Sequence, residues 1–336
     1  MPATYKDIQR MTGLSLSTIS RYFNALPVRP ANAEAIEDAA GKLQFRTNSF
    51  AKSLRTRKSM TIGVLLPDLA NAFHSTIVAN VIKSPALAGY GVIVSTYGDS
   101  ASGLDRAVRF LTGKMVDGLI MVPPGDNGWP TALDVEQPDL PIVVLDRVVW
   151  HPLDHVVVDN DRAGADVADL LAEAGHRDIG VVGGPDDISS LRGRTAGFTA
   201  RLADRGIALP QSRVLRRPLT VEAGRLAALE LLSGPGPRPT ALFATNSELT
   251  VGSMLALAEL SLTTPGDLSF VGFDNAELSQ AVPPGLAVVL QPVEEIARRA
   301  SELMRLRLDT GVVKRGESVV LLCALAPGRS VGPPPA

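Results

Sequence analysis

The stretch GLSLSTISRYFN (Gly13–Asn24) places four hydroxyls, on Ser15, Ser17, Thr18 and Ser20, within six positions, while Leu14, Ile19 and Phe23 keep a helical apolar spacing. Serine and threonine are mediocre helix formers, because their hydroxyls compete for backbone hydrogen bonds. A helix that keeps them presents a low, polar surface to a partner. Its flanks fit a three-helix unit. Thr4 is placed to cap a first helix, with Asp7 three residues on as its capping-box partner and Ile8 and Met11 on its apolar face. Gly13 ends that helix and Ser15 caps the next. A third helix fits Pro30–Leu43, with Pro30 in its first turn and Ile36, Ala39, Ala40 and Leu43 on one side. Helix, short glycine turn, capped helix is the spacing of a helix-turn-helix.

Charge is divided unevenly along the chain. Residues 1–59 hold ten Lys and Arg against four Asp and Glu, whereas the whole chain holds 33 against 35. A small basic head therefore precedes an acidic body, an arrangement suited to a polyanion bound through the head alone. A solvated basic surface would carry the same charge. In a recognition helix, however, short polar side chains near the N-terminus reach phosphates and base edges without holding the helix off the groove, and Arg21 can reach a guanine edge or a phosphate. The alternative is a three-helix domain that binds protein. A length of 336 residues, 45% of them hydrophobic and 20% charged, suggests two or three domains with ample core material. No apolar run approaches the ~20 residues of a membrane span, and the N-terminal residues lack a secretory apolar stretch, so a cytoplasmic location is expected. The single cysteine, Cys323, excludes an internal disulfide. With four scattered histidines, no metal site is expected, and no cofactor either.

From Thr61 the pattern changes to short β-branched runs alternating with helical stretches: TIGVLL (61–66), GVIVS (91–95), GLIMV (118–122), IVVL (142–145), HVVV (155–158), IGVVG (179–183), ALFA (241–244), SFVGF (269–273) and AVVL (287–290). Nearly continuous apolar strands separated by helices indicate parallel sheets covered on both faces, and so long a segment favours two lobes over one sheet. Asp68, Asp146, Asn246 and Asp274 follow four of these runs. Ligands of open parallel sheets bind beyond the carboxyl ends of the strands, so these side chains suggest a cleft for a polar, polyhydroxylated ligand. Helix capping by Asp and Asn is the other reading of each. A helix expected over roughly 75–87 contains Pro85, which either kinks it or marks its early end.

The stretches TYKDIQRMTGLSLSTISRYFN and KLQFRTNSFAKSLRTRKSMTIGVLLPD resemble the lactose-repressor/galactose-repressor (LacI/GalR) family of bacterial transcription regulators. In the body PIVVLDR, VVVDNDRAG, EAGHRDIGVVGGP, RGRTAGF, ALFATNSELTVGSMLAL, DLSFVGFDN and LQPVEEIARRASELM are similar, in order, to the same family's effector-binding core. The resemblance implies an all-α helix-turn-helix domain over residues 1–46, a hinge helix and linker over 47–60, and a two-lobed, periplasmic-binding-protein-like (type I) α/β core with parallel sheets over 61–336. Its first lobe would span about 61–159 and 292–321, and its second about 162–290 and 322–336. The crossovers between them would fall near Asp159–Asp161, Gln291–Pro292 and Leu321–Leu325. Carried over position by position, Leu16, Ser17 and Arg21 fall at base-reading positions, and Ser15, Thr18, Ser20 and Asn24 among the backbone contacts. In the hinge, Ala51 falls where the helix touches DNA, and Leu54 is similar to the leucine that wedges into the central base step. Asp146, Arg194, Asn246 and Asp274 match effector-contacting positions, with Phe73 and His74 in a further contact region; the other reading of Arg194 is a surface arginine. The implied partners are a pseudo-palindromic double-stranded operator, a small sugar-like effector and a second copy of the chain. Two departures stand out: Thr47 replaces a usual proline at the hinge entry, and VRPANAEA replaces the usual start of the third helix.

Other functions remain open on the residues alone. An enzyme on a doubly wound sheet would need a motif, yet GGPDD (183–187) is not a dinucleotide fingerprint and no phosphate-binding loop or nucleophile constellation stands out. A solute-binding protein would share the body but carry an export signal in place of the basic head. A regulator that no longer responds to an effector is a third possibility, opposed by the four ligand-type side chains together. If Leu54 is a wedge, Leu54→Ala should weaken binding to a specific operator while leaving charge-driven binding to random DNA nearly unchanged, because the wedge supports one bent step and phosphate contacts ignore sequence. Parallel titrations of operator and random duplex check this; equal losses would mean that the hinge helix itself has been lost.

Overall fold

The computed structural model of the chain describes residues 3–24, 26–45, 58–98, 101–125, 128–130, 132–133, 139–311 and 316–335. The hinge positions Thr47, Ala51 and Leu54 lie outside the described residues. The chain forms two compact units, Met1–Ser59 and Met60–Ala336.

In the first unit Asp7 reaches back to the Thr4 amide at 2.9 Å and the Thr4 hydroxyl at 2.7 Å, starting helix α1 (Tyr5–Thr12). Gly13 ends it at φ 72°, a left-handed conformation that glycine adopts without steric penalty. Ser15 caps α2 (Leu16–Phe23) by accepting the Thr18 amide at 3.2 Å, and Pro30 opens α3 (Pro30–Lys42). The three helices bury Ile8, Ile19, Ile36 and Ala39. A cluster of Tyr5, Phe23 and Phe45, with ring centroids 5.0–5.5 Å apart, extends that core. So small a unit depends on such aromatic area for its stability.

The second unit is built on two six-stranded sheets. The first contains β1 (Thr61–Leu66), β2 (Gly91–Thr96), β3 (Gly118–Met121), β4 (Ile142–Leu145), β5 (Asp154–Val158) and β11 (Ser318–Leu321), in the order β2-β1-β3-β4-β5-β11, all parallel. The second contains β6 (Ile179–Gly183), β7 (Val214–Arg216), β8 (Ala241–Ala244), β9 (Ser269–Phe273), β10 (Ala287–Leu290) and β12 (Ala324–Ala326), in the order β7-β6-β8-β9-β10-β12. Only its last pair is antiparallel. The two sheets share one winding, and in each the strand order reverses beside the first strand, between β1 and β3 and between β6 and β8. Such switch points open the crevice where ligands of parallel sheets bind.

Helices α4 (Ala72–Lys83), α5 (Ala101–Gly113) and α11 (Val293–Thr310) accompany the first sheet. The second is flanked by α6 (Asn160–Glu173), α7 (Ser189–Asp204), α8 (Val221–Ser233) and α9 (Ser247–Glu259), with the short α10 (Ala276–Ala281) beside β10. Separate apolar clusters fill the faces of each sheet. The chain passes between the sheets after β5, after β10 and between β11 and β12. α4 starts earlier than the sequence reading placed it, because Asn71 caps it by accepting the Phe73 amide at 2.8 Å, and it stops before Pro85. Pro85 opens a single 3-10 turn instead, so no helical hydrogen bond is lost. Among the described residues no helix is long and apolar enough to cross a membrane.

One ion pair is buried within the first lobe. Arg307 on α11 donates two hydrogen bonds to Asp154 at the start of β5, at 2.6 and 2.8 Å, with both side chains nearly inaccessible, and the Glu317 amide adds a third at 3.1 Å. Removing one member of such a pair strands the other charge away from water. Asp154→Ala should therefore cost about 3–5 kcal/mol of stability, whereas the joint change Asp154→Leu with Arg307→Met should cost less than the single one. Urea midpoints of the three proteins check the order.

Candidate functional site

On the head, the side chains of Ser15, Leu16, Ser17 and Arg21 are exposed and those of Thr18, Ser20 and Asn24 partly so, while Ile19 turns into the core. The hydroxyls are organised locally. Ser15 Oγ lies 2.8 Å from Ser17 Oγ and 2.9 Å from Thr18 Oγ1, and Asn24 Nδ2 donates to the Ser20 carbonyl at 2.7 Å. Arg21 is steadied from outside the helix, donating to the Pro27 carbonyl from Nη2 at 3.0 Å. Leu16, Ser17, Ser20, Arg21 and Asn24 fall on one side of the helix, polar but for Leu16, with short serine side chains that allow close approach to a duplex.

In the body, Arg194 is the centre of the second site. It sits on α7, only 2% exposed. Nε donates to Asn160 Oδ1 at 2.8 Å, Nη1 to the Thr245 carbonyl at 2.8 Å, and the guanidinium carbon lies 3.6 Å from the centre of the Phe273 ring. Two mid-helix glycines permit this seat. A Cβ on Gly164 would stand 2.0 Å from the Arg194 carbonyl oxygen, and one on Gly197 would stand 1.9 Å from that of Asp161. Without side chains there, α6 and α7 approach backbone to backbone, and Asn160 comes within reach of the guanidinium.

Asp146 reaches this centre from the other lobe. It follows β4 at φ 64°, with its carboxylate 3.9 Å from Arg194 Nη2 and accepting from Ser190 Oγ at 3.3 Å. Arg147 lies 3.4 Å from the same carboxylate and anchors to the carbonyls of Pro123 and Pro124. Asp274 follows β9 at φ 62° and accepts from Gln291 Nε2 at 3.0 Å. Left-handed backbone on a non-glycine residue is uncommon, and here it occurs at Asp146 and at Asp274. Asn246 is buried and caps α9, accepting the Leu249 amide at 3.0 Å and donating to Glu248 at 2.6 Å. Its capping role is thus present in the structure, whereas Asp146 and Asp274 point their hydrogen bonds at side chains around the cleft. Phe73 packs into the core of the first sheet. Its neighbour His74 is the polar member of that pair, 3.9 Å from Asp68 and within the field of Asp146.

Among the described residues, three buried polar atoms around the cleft have no hydrogen-bond partner: His74 Nδ1, Arg194 Nη2 and Gln291 Oε1. Buried polar atoms are rarely left so. Together they supply unspent hydrogen-bonding capacity between the carboxyl ends of the two sheets. Burial lowers the His74 pKa and keeps the imidazole neutral at neutral pH, against the pull of Asp146 and Asp68. The sequence alone points to Asp146, Arg194, Asn246 and Asp274 but not to Asn160, Ser190, Glu248 or Gln291, which hydrogen-bond to them. Among the described residues no cluster of three or more His, Cys, Asp or Glu could hold a metal.

Burial pushes the Asp274 carboxyl up to about 6, with Arg194 and Gln291 opposing and Asp146 adding to the rise. The folded chain therefore holds this proton more tightly than the unfolded one, and loses stability as pH rises from about 4 to about 6. Asp274→Asn, neutral throughout, should exceed the unliganded wild type above that window by up to about 3 kcal/mol, an advantage that shrinks as pH falls toward 4. Unfolding of both proteins across this pH range checks the sign.

A family model described as a periplasmic binding protein-like domain matches residues 168–331. The ribose operon repressor of Escherichia coli (strain K12) is 30% identical over 307 residues, covering 90% of this chain and 92% of that protein. A crystal structure of the lac repressor dimer bound to operator and the anti-inducer ONPF is similar with a TM-score of 0.87 and 26% identity, over 99% of this chain and 100% of that one. A complex of the transcriptional regulator CelR with cellobiose is similar with a TM-score of 0.73 and 25% identity, over 98% of this chain and 99% of that one. These relatives are transcription regulators, not enzymes. With its helix-turn-helix head, its pair of like-wound sheets and the polar cleft at their switch points, the chain belongs to the LacI family of DNA-binding transcription regulators.

Proposed function

We propose that the chain is a cytoplasmic transcriptional repressor that grips a pseudo-palindromic operator as a homodimer, and whose operator affinity is set by a small polyhydroxylated effector in the interlobe cleft. The observation that carries the effector half is the group of unpartnered buried atoms, His74 Nδ1, Arg194 Nη2 and Gln291 Oε1, beside the carboxylates of Asp146 and Asp274. Donors and acceptors in such a mixture suit hydroxyls, which do both. The head half rests on the exposed face of Ser15, Leu16, Ser17 and Arg21 and on the basic surplus of residues 1–59. The partly exposed Thr18, Ser20 and Asn24 would meet the phosphate backbone, and Ala51 and Leu54 the minor groove. The lac repressor dimer on its operator and CelR with cellobiose are the relatives whose assemblies support this reading.

DNA is assigned to the head and the effector to the body, so the two activities should separate. Intact protein should bind duplex DNA with an affinity that falls steeply with salt, at a log–log slope of about −0.9 per phosphate contact. Arg194→Ala should keep that binding and lose the response to effector, because a charged hydrogen bond of roughly 1.5–3 kcal/mol is worth about ten- to a hundred-fold in affinity. Fluorescence anisotropy on a labelled operator, with and without sugars, checks both halves. Wild-type effector response in Arg194→Ala would remove the cleft from this reading.

A further inference from the structure

The charges around the cleft do not cancel. Asp68, Asp146, Glu248 and Asp274 bring four carboxyl groups to it, against the guanidinium groups of Arg147 and Arg194. His74 adds no positive charge, since burial holds it neutral. Both guanidinium groups already face Asp146, and Arg194 also lies in the field of Asp274. The unpartnered Arg194 Nη2 therefore offers a hydrogen bond without a net positive charge.

Glu248 is a buried carboxylate whose side-chain hydrogen bonds come from amides and not from a cation. It stands in the first turn of α9 and spans the lobes. Oε1 accepts from Asn71 Nδ2 of the first lobe at 2.6 Å, and Oε2 accepts from Asn246 Nδ2 of its own lobe at 2.6 Å. Two neutral side-chain amides and the start of α9 hold it, and no full positive charge is paired with it. Burial raises its pKa, and the neighbouring carboxylates of Asp68 and Asp274 add to the rise.

We propose that Glu248 makes the cleft a reader of effector charge, admitting uncharged and ammonium-bearing polyols and rejecting anionic ones such as sugar phosphates and uronates. This rests on the interlobe cleft being the effector site. An anionic ligand would bring a further negative charge within a few ångströms of carboxylates that are already in excess, in a site where water screens poorly. A hydroxyl or an ammonium group instead donates to the lone pairs that Asn71 and Asn246 leave free. Because Glu248 touches both lobes, the discrimination acts on the closed cleft, where the ligand is most fully removed from water.

The test is calorimetric titration of the full-length protein at neutral pH with glucose, glucosamine and glucuronate, and with ribose beside its phosphate ester, for wild type and Glu248→Gln. Glutamine keeps the shape and an acceptor for Asn71 but removes the charge. Wild type should bind a neutral or amino member at least about ten-fold more tightly than its anionic counterpart, and Glu248→Gln should narrow that ratio by about ten-fold. An anionic member bound as tightly as its neutral parent by wild type, or an unchanged ratio in the folded variant, would overturn the proposal and leave the effector cleft standing. Binding of none of these sugars would overturn the polyol reading of the cleft, and this proposal with it.

Discussion

A guanidinium group 2% exposed cannot be left uncompensated, and the seat of Arg194 organises much of the body around that demand. Asn160 supplies an acceptor from the first turn of α6, the carbonyl after β8 supplies another, and the Phe273 ring at the end of β9 supplies a π-face. Each partner comes from the carboxyl end of a strand or the start of a helix in one lobe. The neutralising carboxylate, Asp146, comes from the other lobe. Asp274, from the lobe of Arg194 itself, lies in the field of the same charge, so Asp146 adds a second carboxylate from across the cleft. The same group that faces Asp146 retains one free donor, Nη2, between the lobes.

The seat also explains a packing feature that has no function of its own. Helices α6 and α7 meet through Gly164 and Gly197, where any Cβ would overlap backbone. Glycine in a helix interior costs roughly 0.5–1 kcal/mol relative to alanine. Two such residues are tolerable where they let a buried charge reach its acceptor, since an unpaired ion in the same place would cost several kcal/mol.

Much of this was legible in the residues. The nine apolar runs all became strands; eight are central, where burial on both faces leaves a continuous hydrophobic signature, and β2 is an edge strand with the same apolar run. The strands that were not read, Val214–Arg216, Ser318–Leu321 and Ala324–Ala326, are all sheet edges and partly exposed. The last two sit in one run, SVVLLCALA, where chain direction changes sheets with no turn residue to mark it. The carboxylates at strand ends were visible because they follow the runs directly. Their partners were not: Glu248 and Gln291 lie in helical or coil context, and nothing local distinguishes Ser190 from a surface serine. The family resemblance pointed to Phe73 and His74 together, and only packing separates the core ring from the polar one. The boundary of α4 was misplaced because its cap, Asn71, reads in sequence as an ordinary loop residue.

Among the described residues, several contacts between the lobes are polar. Asn71 to Glu248, the Val148 amide to Ser189 and Ser190 to Asp146 are hydrogen bonds, and Arg194 to Asp146 is a loose ion pair at 3.9 Å. Hydrogen bonds of this kind contribute about 0.5–1.5 kcal/mol each, so together they bias closure by a few kcal/mol at most. Shifting a two-state equilibrium from one extreme to the other needs a differential affinity of about 5.5 kcal/mol. An effector that makes two or three hydrogen bonds to charged groups only in the closed cleft supplies energy on that scale. A more apolar interface between the lobes would lock them beyond the reach of a small ligand. Polar contacts that water can replace leave the balance close enough for a sugar-sized molecule to decide it.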